Sequence, residues 1–238
     1  MTTSWNESNS QTFIENGKYF VPDREWQLQA ICALLPSRPE PFTILELGCG
    51  EGLLAEALLD HFPQATLYGF DGSLKMLQTA SLHLQHFGKR FKGQAFDLFS
   101  HDWRTTEWQA SAIVSSLTIH HLDDGQKEEL YRDLFAMLRP GGVLVIADLV
   151  QPAGEQATHL AARSWDESVR QRSLALSGSL AFHKRFQEIE WNTFLYPDEI
   201  DNPSRLYDQL KWLEAAGFQN VDVYWLKAGH AIFGGVKR

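Results

Sequence analysis

Cysteine is scarce in this chain: Cys32 and Cys49 are the only two in 238 residues. Two thiols cannot build a disulfide framework or a cysteine-rich zinc site, so a reducing compartment is the simpler setting. The opening stretch MTTSWNESNSQTF has no basic segment followed by an apolar one and does not read as a secretory signal. No apolar run approaches the roughly 20 residues that a membrane-crossing helix needs. Positive charge is also short: 21 Lys and Arg stand against 30 Asp and Glu, a net charge of −9, which disfavours broad attraction to nucleic-acid phosphates. The expectation is a cytoplasmic protein without membrane or nucleic-acid partners. The rest is ordinary for a folded domain, with 44% hydrophobic and 21% charged residues.

Apolar periodicity divides the chain into four regions. Residues 1–18 are polar and read as a flexible N-terminus. Residues 19–150 alternate strand and helix, implying a doubly wound, mostly parallel sheet covered on both faces. An amphipathic helix runs from Arg24 until Pro36, and strands are expected at Phe42–Leu47, Ala65–Phe70, Phe91–Phe96, Ala112–Ile119 and Gly142–Leu149. Residues 151–205 break that rhythm with helical patterns at Glu155–Leu176 and Ser179–Phe194, and read as a helical lid insertion. Residues 206–238 return to a helix ended by Gly217 and two strands, an antiparallel C-terminal hairpin that makes seven strands in all.

The chemistry begins at ILELGCGEG. Gly48, Gly50 and Gly52 stand where a strand must turn sharply into a helix, and glycine allows positive φ and close approach of a ligand. Asp71 ends the second strand, where a carboxylate can accept hydrogen bonds from both ribose hydroxyls of a nucleoside. The spacing is G-x-G-x-G, and Glu46 just before it suits a cationic ligand better than a pyrophosphate, which argues against NAD.

Glu46, Gly48, Gly50 and Gly52 match the E/D-x-G-x-G-x-G pattern, and here the chain resembles the class I, Rossmann-like S-adenosylmethionine-dependent methyltransferases, with AIVSSLTIHHL and LRPGG as further matches. The resemblance spans Tyr19 to Leu149 and weakens over 151–205. It implies S-adenosylmethionine as cofactor and a binding set of Glu46, Gly48, Cys49, Gly50, Asp71, Gly72, Met76, Asp97, Leu98 and Ser115. In that set Asp71 holds the ribose, Met76 packs on adenine or is simply helix core, and Asp97 stands near the adenine amino group or is a surface cap.

His120 lies at the carboxyl end of a strand, facing the ligand crevice of such a sheet, and suits a general base or a hydrogen-bonded structural role. Methyl transfer needs alignment before it needs a base, so specificity is expected in the lid. Tyr19, Arg24, His120, Trp165, Arg170 and Arg185 form the expected acceptor set, suited to an anionic or aromatic small molecule. No metal is expected, since the His120–His121 pair has no acidic ligand at metal-binding spacing. An exposed apolar face on the insertion could make a homodimer. The leading reading is methylation of a small-molecule acceptor. The insertion and the LEAAGF segment also resemble carboxy-SAM synthase, which acts on the cofactor in tRNA wobble-uridine modification, and a non-catalytic S-adenosylmethionine-binding protein is the third reading.

Overall fold

A computed structural model describes residues 6–238. Five strands run parallel: β1 (Phe42–Leu47), β2 (Ala65–Asp71), β3 (Phe91–Ala95), β4 (Ala110–Ser116) and β5 (Leu138–Leu149). The hairpin of β6 (Gln219–Lys227) and β7 (His230–Val236) closes the sheet, with β7 antiparallel to β5, in the order β3-β2-β1-β4-β5-β7-β6. This is the expected seven-stranded, doubly wound architecture. Strands β1, β4 and β5 read as near-continuous apolar runs because helices cover both of their faces. One apolar cluster, with Leu47, Phe70, Tyr131 and Phe233, lies beneath α5 (Asp124–Met137) and α8 (Leu206–Ala216). The other, with Ile31, Ile44, Leu58 and Val114, lies beneath α2 (Arg24–Leu34) and α3 (Leu53–His61). LRPGG opens β5 as an irregularity: pairing with β4 slips between Ala110–Leu138 and Ala112–Val143.

The strand order reverses between β1 and β4, and a ligand crevice opens at the carboxyl ends of such strands. The sequence fits that placement. The strand β1 runs straight into the glycine turn and α3, while β2 delivers Asp71 beside the turn before α4 (Leu74–His83), which Ser73 caps by accepting a hydrogen bond from the Met76 amide.

The N-terminus departs from expectation. Residues 1–5 lie outside the described residues, but instead of a flexible stretch to residue 18 the structure has a helix, α1 (Glu7–Phe20). Asn6 starts it by accepting from the amides of Ser8 (2.9 Å) and Asn9 (3.2 Å). Its buried residues are Ser10, Asn16, Gly17, Tyr19 and Phe20, so small and polar side chains stand where an apolar stripe would have announced a helix. The insertion supplies its partners, α6 (Glu155–Ser177) and α7 (Ala181–Glu188). Tyr19 stacks on Phe182 at 3.5 Å between ring centroids, Phe20 meets Phe186 edge-on at 5.1 Å, and the Trp165 indole N–H donates to the Phe20 carbonyl at 2.7 Å. Helix α7 stops earlier than its sequence pattern suggests: Glu190 adopts φ 53 and the Trp191 amide turns back onto the Phe186 carbonyl (3.1 Å). Residues 189–205 therefore cross the crevice as a loop. Among the described residues no helix is long and apolar enough to cross a membrane.

Candidate functional site

The glycine turn does two different jobs. At Gly48 (φ 68) an added Cβ would stand 1.8 Å from Thr118 Oγ1, so the residue is required by the protein's own packing. At Gly50 (φ 53) the nearest atom to an added Cβ is Met76 Sδ at 3.9 Å, so the space in front of this residue belongs to a cavity. Asp71 locks the turn to β2. Its Oδ2 accepts from the Gly50 amide (2.8 Å) and its Oδ1 from the Ser73 amide (2.9 Å), leaving further lone pairs for a ligand.

The cavity, about 640 Å³, is lined by Glu46, Gly48, Cys49, Gly50, Asp71, Gly72, Met76, Asp97 and Leu98, nine of the ten residues expected there. The tenth, Ser115, is not in the lining: it is fully buried and its hydroxyl donates to the Leu47 carbonyl (3.1 Å). Its neighbour Ser116 takes the place, accepting from Arg24 Nη1 at 2.6 Å. Every residue of β4 is buried, so no polar–apolar alternation in the sequence distinguishes the two serines.

Charged side chains, Glu46, Arg24 and Asp71 among them, line this chamber. Glu46 is 1% exposed and, among the described residues, its Oε2 has no hydrogen-bond partner. Burial pushes its carboxyl well above the ordinary range, and Arg24 works against that shift. Burial likewise lowers Arg24, opposed by Glu46 and Glu51. Asp71 is raised by burial and pulled back by the amides it accepts from. A cationic ligand group near Glu46 would restore its ionised form. The chamber thus suits a molecule that carries both a ribose-like diol and a cation.

A second chamber of about 280 Å³ adjoins the first, and Phe13, Leu117 and Ile200 line both. Leu117 is held at φ 56 just beyond β4, a left-handed conformation that costs a leucine about 1–2 kcal/mol, and its amide is tied to the Ala147 carbonyl at 2.9 Å. His120 sits in this wall, clamped on both sides. Its Nδ1 lies 2.5 Å from Asp148 Oδ1 and its Nε2 lies 3.3 Å from Asp201 Oδ1. Burial opposes charge on the ring, but the two aspartates outweigh it and lift the imidazole to about 10. Burial would raise both carboxyls, yet the histidine holds Asp148 and Asp201 below the usual carboxylate range. At neutral pH this is a carboxylate–imidazolium–carboxylate bridge. Asp201 is delivered by the loop, which is pinned where the Asn202 amide donates to the His120 carbonyl (2.8 Å) and Lys127 Nζ donates to Ser204 Oγ (2.7 Å) and to the Asn202 carbonyl. The fold thereby supplies the acidic neighbour that sequence spacing did not show: His120, His121 and Asp201 bring ligand-type atoms within 4.8 Å of one another.

Of the expected acceptor residues, His120 and Trp165 line the second chamber. Tyr19 stacks on Phe182 and is not in the lining, where its neighbours Phe20 and Val21 stand instead. Arg24 belongs to the first chamber. Arg170 lines neither cavity: it makes a fork with Glu167 at 2.7 and 2.8 Å on the outside of α6, an i,i+3 pair legible in the sequence. Arg185 is exposed on α7 and lines neither. Sequence reasoning missed Phe13, Asp148, Asp198 and Asp201, which reach the site only through tertiary folding.

His230, also in this lining, is buried with its Nδ1 2.9 Å from the Ala228 carbonyl and its ring against Trp165. Burial pushes it down to about 4 from 6.5. A depressed histidine contributes stability that is present above its unfolded pKa and lost as the pH falls through the folded one. Between neutral pH and about pH 5 this ring is expected to cost roughly 2 kcal/mol, at about 1.36 kcal/mol per pH unit below its unfolded value. Urea unfolding of the wild type and of His230→Phe at both pH values checks this; equal losses in the two proteins would show that the ring titrates as if it were exposed.

Residues 44–142 match a methyltransferase domain family. Trans-aconitate 2-methyltransferase of Yersinia pestis is 28% identical over 192 residues, covering 75% of this chain and 69% of the relative. The enzyme of the same name from Variovorax paradoxus is 32% identical over 127 residues, covering 53% and 46%. Among solved structures, the Haemonchus contortus phosphoethanolamine N-methyltransferase 2, in complex with phosphomonomethylethanolamine and S-adenosylhomocysteine, superposes with a TM-score of 0.66 at 15% identity over 98% of this chain. An O-methyltransferase family protein from Burkholderia thailandensis gives 0.63 at 14% identity over 90%. The chain spans 58% and 55% of those two solved chains.

Proposed function

We propose that this chain is an S-adenosylmethionine-dependent methyltransferase and that it methylates a small-molecule acceptor held in the second chamber; the methyltransferase-domain match over residues 44–142 and the Rossmann-like fold support the reading. The observation that carries this reading is the junction: a chamber with a glycine cradle and Asp71 shares Phe13, Leu117 and Ile200 with a second, smaller chamber beside it. Bound S-adenosylmethionine supplies an electrophilic methyl group on a sulfonium. The residues present fit it. Asp71 is suited to the ribose hydroxyls, Met76 and Leu98 to the adenine faces with Asp97 near its amino group, and the unsatisfied Glu46 to the methionine ammonium. Arg24, on the same wall, is suited to the methionine carboxylate.

The remaining catalytic work is alignment and exclusion of water. Leu117 and Phe13 form the apolar neck through which the two ligands meet. His120, charged at neutral pH, holds Asp201 against the wall of the acceptor chamber and is not poised to take a proton. Trp165, Trp191 and Tyr196 support an aromatic acceptor. The trans-aconitate in the names of the bacterial relatives is an anion, and among the described residues no lysine or arginine lines the second chamber to receive one. Two unpaired cysteines support a cytoplasmic setting.

The test begins with mass spectrometry of any nucleoside released on denaturing the purified protein, followed by calorimetric titration with S-adenosylmethionine, S-adenosylhomocysteine and NAD. The sulfonium cofactor and its demethylated product are expected to bind and NAD is not. A carboxylated cofactor in the released material would favour the carboxy-SAM synthase-like reading, and binding of NAD alone would overturn the cofactor assignment.

A further inference from the structure

The second chamber has a chemical sign. Its described lining includes Glu190, Asp198 and Asp201 and contains no lysine or arginine. Its positive member, the His120 ring, is already bracketed by Asp148 and Asp201. The same lining holds the aromatic side chains of Phe13, Phe20, Trp165, Trp191 and Tyr196. A carboxylate or phosphate entering this partly open space would give up some of its hydration and meet acids, with no lysine or arginine in the described lining to replace the water. A cation would exchange its water for carboxylate oxygens and aromatic faces, the pairing by which proteins recognise amines and quaternary ammonium groups. At about 280 Å³ the space lies just below the roughly 300–1,000 Å³ usual for ligand pockets, so it suits a compact molecule.

We infer that the acceptor carries a positively charged amino group, protonated or quaternary, recognised by Asp198, Asp201 and the aromatic walls of the second chamber. This rests on the reading that the second chamber holds the methyl acceptor. Asp198 is the side chain on which the inference can be tested without disturbing the His120 bridge. Its Oδ1 accepts from the amides of Ile200 (2.8 Å) and Asp201 (2.9 Å), an arrangement that asparagine can also make, so Asp198→Asn removes charge while keeping the turn.

The experiment uses the full chain saturated with S-adenosylhomocysteine and two probes of similar size and opposite charge, phenethylamine and 3-phenylpropionate, titrated by calorimetry. Phenethylamine is expected to bind about tenfold or more tightly than the carboxylate, a difference of about 1.4 kcal/mol. Asp198→Asn is expected to weaken the amine about three- to tenfold with S-adenosylhomocysteine affinity unchanged, and Asp198→Lys to narrow or reverse the preference. Glu199→Gln, one residue away and outside the chamber lining, should change neither probe. Equal binding of the two probes, preference for the carboxylate, or binding of neither by a chain that still takes up S-adenosylhomocysteine overturns the inference and leaves the methyltransferase reading standing. A chain that takes up neither S-adenosylmethionine nor S-adenosylhomocysteine overturns that reading instead.

Discussion

Gly50→Leu is expected to give a folded protein that has lost S-adenosylmethionine, whereas Gly48→Ala is expected not to fold stably, although the second substitution adds far less. The difference follows from what stands in front of each residue. A side chain at position 50 meets no protein atom nearer than 3.9 Å to its Cβ and projects into the first chamber. The fold bears only the cost of a left-handed leucine, about 1–2 kcal/mol. Cofactor affinity should fall about 100-fold or more, equivalent to roughly 2.7 kcal/mol, because the added atoms occupy the ligand's space. At position 48 a single methyl collides with Thr118 Oγ1 at 1.8 Å and with its methyl group at 2.7 Å, in the packed seam between the turn and the end of β4. Asp71→Ala should behave as a milder Gly50→Leu, losing affinity through missing ribose hydrogen bonds and also loosening the turn that Asp71 fastens. Calorimetry with urea unfolding on each variant separates the two effects; wild-type affinity in folded Gly50→Leu would remove the cofactor from this chamber.

Asp148→Ala is the substitution expected to cost the most stability without touching an apolar side chain. Asp148 accepts from the His120 amide (3.1 Å), the His120 ring (2.5 Å) and the Leu149 amide (2.8 Å), and it is 2% exposed. Removing it leaves a buried imidazolium with Asp201 as its remaining carboxylate, and breaking one partner of a buried pair costs about 3–5 kcal/mol. The pH dependence has a definite sign. His120 is raised, so its contribution is complete below its unfolded value near 6.5 and is lost as the pH rises through about 10. Asp148 and Asp201 are lowered, so theirs is complete above the unfolded carboxylate range and is lost as the pH falls. Urea unfolding from acid to alkaline pH should show the wild type losing stability towards alkaline pH in a step that is smaller in Asp148→Ala, where Asp201 alone faces the ring. A cost below about 1 kcal/mol would mean that the bridge is no more than a surface ion pair in disguise.

What could be read from the letters, and what could not, follows from the range of the interactions involved. The β1–turn–α3 unit and Asp71 were legible because every signal lies within 30 residues: glycines at a strand end, then an acid at the end of the next strand. Local pattern also gave the sheet and its closing hairpin. The His120 bridge was not legible, because its partners arrive from 28 and 81 residues away, one at the end of a strand and one on a loop that carries no motif of its own. The acceptor arginines were misplaced for a different reason. Composition of the insertion suggested a cationic site, but Arg170 was already matched by Glu167 one helical turn earlier. Helix α1 escaped notice because its buried face is made of serine, asparagine and glycine, with its two large aromatics only at the end.

That helix also fixes an order of events during synthesis. A ribosome releases α1 well before its partners, which come from much later in the chain: the indole that binds the Phe20 carbonyl is 145 residues downstream, and Phe182 and Phe186 are later still. Until those residues emerge, Tyr19 and Phe20 have no surface to cover them, and the walls that α1 gives to both chambers cannot be set. A helix made early thus settles only after elements made much later, and the second chamber cannot form until His230 has emerged to line it.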